Sequence, residues 1–193
     1  GNHSDHLQDE LIPLVQNIFT VDKRSPWIVM GASSGGYGAL HHVSLKKSRF
    51  SAALAIAPDS DFETSLIPEV YKMAPYLRER TSYLKVQKSL QSGDLQKQKN
   101  FFSIMNCLAM SACYSSPQKN NLQFPVDLYT GKKRESVWRE WKKKDPVNFL
   151  AERAPFLRGK SIYLDVGMYD DFCLYFGARQ IKDVLHKKRV PTI

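Results

Sequence analysis

Gly31-Ala32-Ser33-Ser34-Gly35 is a G-x-S-x-G pattern. This spacing sets a serine on a sharp turn between a strand and a helix, with small residues two before and two after it so that the two elements approach without a Cβ clash. Gly31, Gly35, Gly36 and Gly38 are read as supplying that clearance, and Ser33 is the candidate nucleophile. The Ser34 backbone N–H, at the start of the following helix, is placed to receive the oxyanion of a tetrahedral intermediate. A glycine-rich turn can also merely join strand to helix, or cradle a phosphate. No P-loop lysine follows this one, and the G-x-G-x-x-G fingerprint is absent.

A serine hydroxyl is a poor nucleophile near neutral pH unless a base takes its proton, and the base needs an acid to fix its tautomer. On a strand-turn-helix scaffold of this kind the chain order is Ser, then Asp or Glu, then His. Asp170, in Gly167-Met168-Tyr169-Asp170 directly after a strand, is the candidate acid. Its neighbour Asp171 is the alternative acid or the N-cap of the next helix, and Asp59 and Asp61, after the second strand, are a weaker alternative. The histidines do not fit: His3 and His6 precede the first strand, His41 and His42 lie on the helix after the turn, and His186 is late on the last helix. The base is expected after the strand that Val190 to Ile193 begins, so residues 1–193 by themselves are expected to lack it.

These groups need elements to hold them. Leu7, Leu11, Leu14, Val15 and Ile18 recur at helical spacing, with Pro13 kinking that helix or sitting in its first turn. Trp27-Ile28-Val29-Met30 is short and continuously apolar, as expected of a strand buried on both faces of a parallel sheet. A helix follows the glycine-rich turn, then a second apolar run from Phe50 to Ala57, and strand, turn, helix and strand make a right-handed parallel βαβ unit. Residues 59–160 break the rhythm with two helices (around 83–91 and 97–112), prolines at 68, 75, 117 and 125, and the amphipathic basic stretch Val137 to Lys144. They read as an insertion covering the sheet of one domain spanning 1–193 rather than as a separate domain. Ser161 to Val166 is a third strand, and Leu174, Ala178, Ile181 and Leu185 share one face of a closing helix.

Composition sets outer bounds. With 42% hydrophobic and 24% charged residues the chain is neither a disordered tail, a collagen nor a disulfide-stapled mini-protein. Its apolar runs fall far short of the ~20 residues of a membrane-spanning helix. Cys107, Cys113 and Cys173 are an odd number without C-x-x-C spacing, which argues against a disulfide framework and a structural zinc site. The net charge of +9 gathers partly in Lys132-Lys133-Arg134, Lys142-Lys143-Lys144 and Lys187-Lys188-Arg189, read as solvated surface because no aromatic platform or recognition signature accompanies them. Nucleic acid is therefore not an expected partner. The chain lacks an initiating Met, so targeting is not readable from its start.

Gly31-Ala32-Ser33-Ser34-Gly35-Gly36-Tyr37-Gly38-Ala39-Leu40 resembles the nucleophile elbow of the putative esterase family of α/β-hydrolases, which includes esterase D (S-formylglutathione hydrolase), enterochelin-esterase-like proteins and mycolyltransferases. Asp9 to Pro13 resembles the family's helix before the elbow strand, and Ile162 to Phe172 its acid loop. Pro125 to Gly131, Val137 to Trp141 and Asp145-Pro146-Val147 are similar to the insertion of an uncharacterised bacterial branch. The resemblance implies an α/β-hydrolase fold and carries Ser33 over as nucleophile, Asp170 as acid and the Ser34 N–H as an oxyanion donor; Ser34 stands where Met is usual. The family's strands before the elbow, one of whose loops gives the second oxyanion donor, and its Gly-x-His segment have no counterpart, so the chain reads as the carboxyl-terminal half of the sheet and a fragment of a longer frame.

The expected function is serine-dependent hydrolysis of carboxylic esters or thioesters through an acyl-enzyme, on a small-molecule substrate and without cofactor or metal. The alternatives are acyl transfer of the mycolyltransferase type and a catalytically inactive hydrolase fold kept for binding.

Overall fold

The three apolar runs become three parallel strands, β1 (Trp27–Ala32), β2 (Phe50–Ile56) and β3 (Ser161–Asp165), hydrogen-bonded in the order β1-β2-β3. The structure is a computed structural model and describes residues 3–22, 24–115 and 120–193; Pro117, one of the prolines read as breaking the rhythm of 59–160, lies outside them. Helix α3 (Ser34–Val43) carries the chain from β1 to β2. The register pairs Met30 with Leu54 and Leu54 with Tyr163, so side chains of all three strands line up on each face. Val190 to Ile193 adds a short parallel rung: Ile162 N–H donates to the Pro191 carbonyl, Leu164 N–H to Ile193, and Ile193 N–H returns to Ile162. The strand expected to begin there is represented by this single parallel bridge, at Thr192 opposite Ile162.

One face of the sheet is buried and the other is open. Ala53, Ala55 and Ile162 face a core made with Leu40 and Val43 of α3, Phe149 and Leu150 of α9 (Pro146–Arg153), Ile181 and Leu185 of α10 (Leu174–Lys187), and Ile12 of α2 (Ile12–Ile18). On the opposite face Ile28 is 57% and Met30 67% exposed, beside Ile56 and Tyr163. The expectation that Trp27 to Met30 is buried on both faces is thus corrected. The described helices of this unit pack on a single side, and β1 alternates between half-buried and exposed positions.

The amino-terminal helix also departs from the expected phase. It opens as α1 (His3–Asp5), passes through a π-helical stretch at His6–Leu11, and becomes α2 with Pro13 in its first turn. The wider π turn rotates the apolar stripe. Gln8 and Ile12 face inward, whereas Leu11, Leu14 and Ile18, expected on the buried face, are exposed. Gln8 is tied down by the Arg49 N–H, which donates to its Oε1 at 2.8 Å.

The contacts divide the chain into two compact units, one of residues 1–60 and 146–193, the other Asp61–Asp145. The segment expected as an insertion over 59–160 therefore closes earlier, because α9 and the 3-10 turn Ala154–Leu157 belong to the core of the sheet unit. The second unit holds α4 (Phe62–Ser65), α5 (Ile67–Leu77), α6 (Tyr83–Gln91), α7 (Phe101–Tyr114) and α8 (Glu135–Lys144) around Phe62, Val70, Leu77, Ile104 and Trp141. Helices α6, α7 and α8 fall where sequence spacing puts them. Helix α5 was hidden by Pro68, which serves as a first-turn residue, and by Pro75, which the helix accommodates inside. Buried Asp145 joins the ends of this unit: its Oδ1 accepts the Asp61 N–H at 3.1 Å and its Oδ2 the Phe62 N–H at 2.7 Å.

Candidate functional site

Ser33 lies between β1 and α3 with φ 54° and ψ −124°, a conformation unusual for a residue with a side chain. Two hydrogen bonds hold it there: its N–H donates to the Ile56 carbonyl at 2.9 Å and its carbonyl accepts from the Tyr37 N–H at 3.0 Å. Close packing adds to this. A Cβ on Gly31 would lie 2.4 Å from the Gly35 carbonyl group, and one on Gly36 3.0 Å from the Ile56 oxygen and 3.1 Å from Pro58. Gly35 and Gly38 face open space, so two of the four glycines read as clearance serve it through their missing Cβ. Ser34 is the first residue of α3, a position whose N–H has no intrahelical acceptor.

Asp170 sits on the turn after β3, where its N–H donates to the Gly167 carbonyl. One carboxylate oxygen, Oδ1, accepts the Phe172 N–H at 3.0 Å and the Leu174 N–H at 3.1 Å. Asp170 thus ties down the start of α10, the capping job expected of Asp171, which is exposed on the turn. The geometric cause is Cys173, whose left-handed backbone (φ 57°) folds the chain back over Asp170.

Asp59 is the third of these residues. It follows β2 on a loop whose Ala57 N–H donates to the Asp165 carbonyl at 2.6 Å and whose Ser60 Oγ–H donates to the Pro58 carbonyl at 2.9 Å. Burial pushes the Asp59 carboxyl up to about 6; the Ser33 side chain pulls the other way, and the negative charge of Asp170 pushes further up. Ser33, Asp59 and Asp170 thus each lie on a turn that follows the carboxyl end of one of the three strands. Asp61 does not join them: its N–H is turned to Asp145 and its carbonyl accepts from Thr64 and Ser65 at the start of α4. Asp59 gave no signal beyond its place after the second strand, since the turn that carries it uses left-handed backbone at Ala57 and Asp61 rather than at glycine.

The histidines are engaged elsewhere. His6 contacts Glu10 at 2.8 Å, and His41 stacks on Tyr37 and lies 3.3 Å from an Arg153 nitrogen. His42 packs against Phe50 at the amino end of β2, its basicity lowered by burial. His186 stands in the last turn of α10, and His3 in the first turn of the chain. Among the described residues no group of three or more His, Cys, Asp or Glu could hold a metal ion, and no helix is long and apolar enough to cross a membrane.

A parallel sheet with helices packed on it and a strained serine at the mouth of the βαβ crossover define an α/β-hydrolase type of protein. The sequence pattern of the family described as Putative esterase matches residues 2–190, and the chain belongs to that family. No curated protein matches it. Among solved structures it is similar to a ferulic acid esterase at 16% identity and a TM-score of 0.49, over 97% of this chain and 50% of the other. The chain thus spans half the length of that structure.

Proposed function

We propose that the protein hydrolyses carboxylic esters through an acyl-enzyme on Ser33. The observation that carries this reading is the strained backbone of Ser33 on a strand-to-helix turn. Strain at a residue fixed by two hydrogen bonds and close packing is kept where it aims a side chain. The hydroxyl attacks the ester carbonyl, the carbonyl oxygen takes up negative charge beside the Ser34 N–H at the positive end of α3, and the alcohol departs. Water then releases the acid. Asp170 is the acid of the site, the carboxylate that steadies the proton acceptor.

Family membership supports the ester class. Ser33→Ala is expected to abolish hydrolysis of 4-nitrophenyl acetate while leaving the far-ultraviolet circular dichroism unchanged. A Ser33→Ala protein that keeps the parent rate would refute the assignment.

A further inference from the structure

The turn from α5 to α6 contains Arg78-Glu79-Arg80, two guanidinium groups with one carboxylate between them in sequence. Arg78 is held by the main chain and by a ring: its Nε donates to the Leu128 carbonyl at 3.0 Å, and its guanidinium lies over Tyr129, 4.6 Å from the ring centroid. Arg80 is only 9% exposed. Its Nη1 donates to the Tyr76 carbonyl in the last turn of α5 at 2.6 Å, while its Nε, equally buried, has no hydrogen-bond partner among the described residues. Neither arginine is ion-paired with a carboxylate among those residues. A guanidinium buried without a counter-charge is costly. Closing the carboxyl end of α5 accounts for one of its nitrogens and leaves the rest of the fork unexplained.

Both arginines line a cleft of about 670 Å³, the size of a small-molecule site, and it lies wholly within the Asp61–Asp145 unit. Lys85 and Lys88 line it too, three residues apart on one face of α6 and without an ion pair among the described residues. Its acidic members are Glu79 and Asp94, and Asp94 already accepts the Ser92 hydroxyl at 2.6 Å. An adjoining cavity shares Arg78 and Tyr129 and adds Arg134, whose charge is met by Asp127 at 2.9 Å.

We propose that this cleft binds a phosphate monoester, with the phosphate held by Arg80 together with Arg78, Lys85 and Lys88. Four cations against two carboxylates leave an excess of two positive charges. A phosphate monoester, which carries close to two negative charges near neutral pH, matches that excess, and a carboxylate meets half of it. A guanidinium fork grips two phosphate oxygens at once, and the lysines serve the remaining charge as mobile point cations. Tyr129 is 75% exposed, so its ring is open to a planar group carried by the phosphate. The proposal does not depend on Ser33 or on ester hydrolysis.

Calorimetric titration of the 193-residue chain with phenyl phosphate and with inorganic phosphate tests it. Sedimentation with phosphatidylcholine vesicles containing phosphatidic acid tells a phosphate in solution from one on a lipid. Phenyl phosphate is expected to bind more tightly than inorganic phosphate because it also meets Tyr129, acetate is expected not to compete, and affinity is expected to fall as salt is raised. Arg80→Met, which keeps the length of the side chain and removes its charge and fork, should weaken binding about 10-fold or more, the worth of a charge-assisted hydrogen bond. Since Arg80 is buried, the exposed pair Lys85→Gln with Lys88→Gln supplies a variant whose folding is not at stake, and it should weaken binding as well. Arg80→Lys keeps a cation able to donate to the α5 carbonyl; weaker phosphate binding in it, at unchanged circular dichroism, separates a ligand contact from a helix cap. Absence of binding by all three probes would overturn the proposal, as would parent affinity in both Arg80→Met and the double lysine variant. Competition by acetate as strong as that by phosphate would overturn it too, since that marks an unselective basic patch. Binding of the vesicles alone, lost in Arg80→Met, would support the phosphate site and put its phosphate on a lipid.

Discussion

At the residue scale the site carries a cost that the fold itself should register. The Asp59 carboxyl titrates near 6 in the folded chain and near the ordinary carboxylate value, 3.8, when unfolded. The folded state therefore binds the proton more tightly, and stability is lost as pH rises from about 4 through about 6. By linkage the loss amounts to about 1–3 kcal/mol after allowance for partial solvation. Asp59→Asn, which stays neutral, should be more stable than the parent by that amount at pH 8 and equal to it near pH 4. Urea titrations at the two pH values check this, and a parent that is the more stable at pH 8 would contradict it. Ser33 was legible from glycine spacing because Gly31 sits where no Cβ fits. The bends that flank Asp59, at Ala57 and Asp61 (φ 43° and 49°), are not legible in the sequence, because they adopt a conformation associated with glycine without using it.

At the scale of elements, α10 is the member whose placement matters most to the site. A Cβ on Gly177 would lie 2.3 Å from Ser60 Oγ and 2.9 Å from the Ser60 backbone, so this glycine lets the loop bearing Asp59 close on the helix that Asp170 caps. Gly177→Ala gains helix propensity of about 1 kcal/mol yet must push that loop away, and overpacking of this kind costs about 1–3 kcal/mol. The expected outcome is a lower urea midpoint together with slower hydrolysis of 4-nitrophenyl acetate; an alanine variant as stable and as reactive as the parent would show that the contact relaxes freely. The buried face of α10 was readable in advance, because Leu174, Ala178, Ile181 and Leu185 keep strict helical spacing. The face of the amino-terminal helix was not, since one π-helical stretch shifts the phase of every residue after it.

At the scale of the whole molecule, the α/β class followed from the order of apolar runs, but the number of helical layers did not. An apolar strand reads the same whether one of its faces or both are covered. Ile28 and Met30 stand largely exposed next to Ile56 and Tyr163, so polar substitution there should be tolerated. Met30→Thr is expected to change stability by less than about 0.5 kcal/mol, as for an ordinary surface position, while lowering binding of a hydrophobic dye. A loss of more than about 1 kcal/mol would mean that this face is packed against something in the folded protein.

The clamp at Asp145 gives the chain a further property. Residues that leave the sheet unit at Asp61 return to it beside the same carboxylate, so to the polypeptide around Ser33 the whole intervening unit has the span of a tight turn. Closing a loop costs entropy according to the distance between its ends and only slowly with its length. The unit between those ends can therefore lengthen, shorten or be exchanged with little strain on the elements that hold the serine, which makes it the part of the chain free to diversify while the chemistry stays fixed.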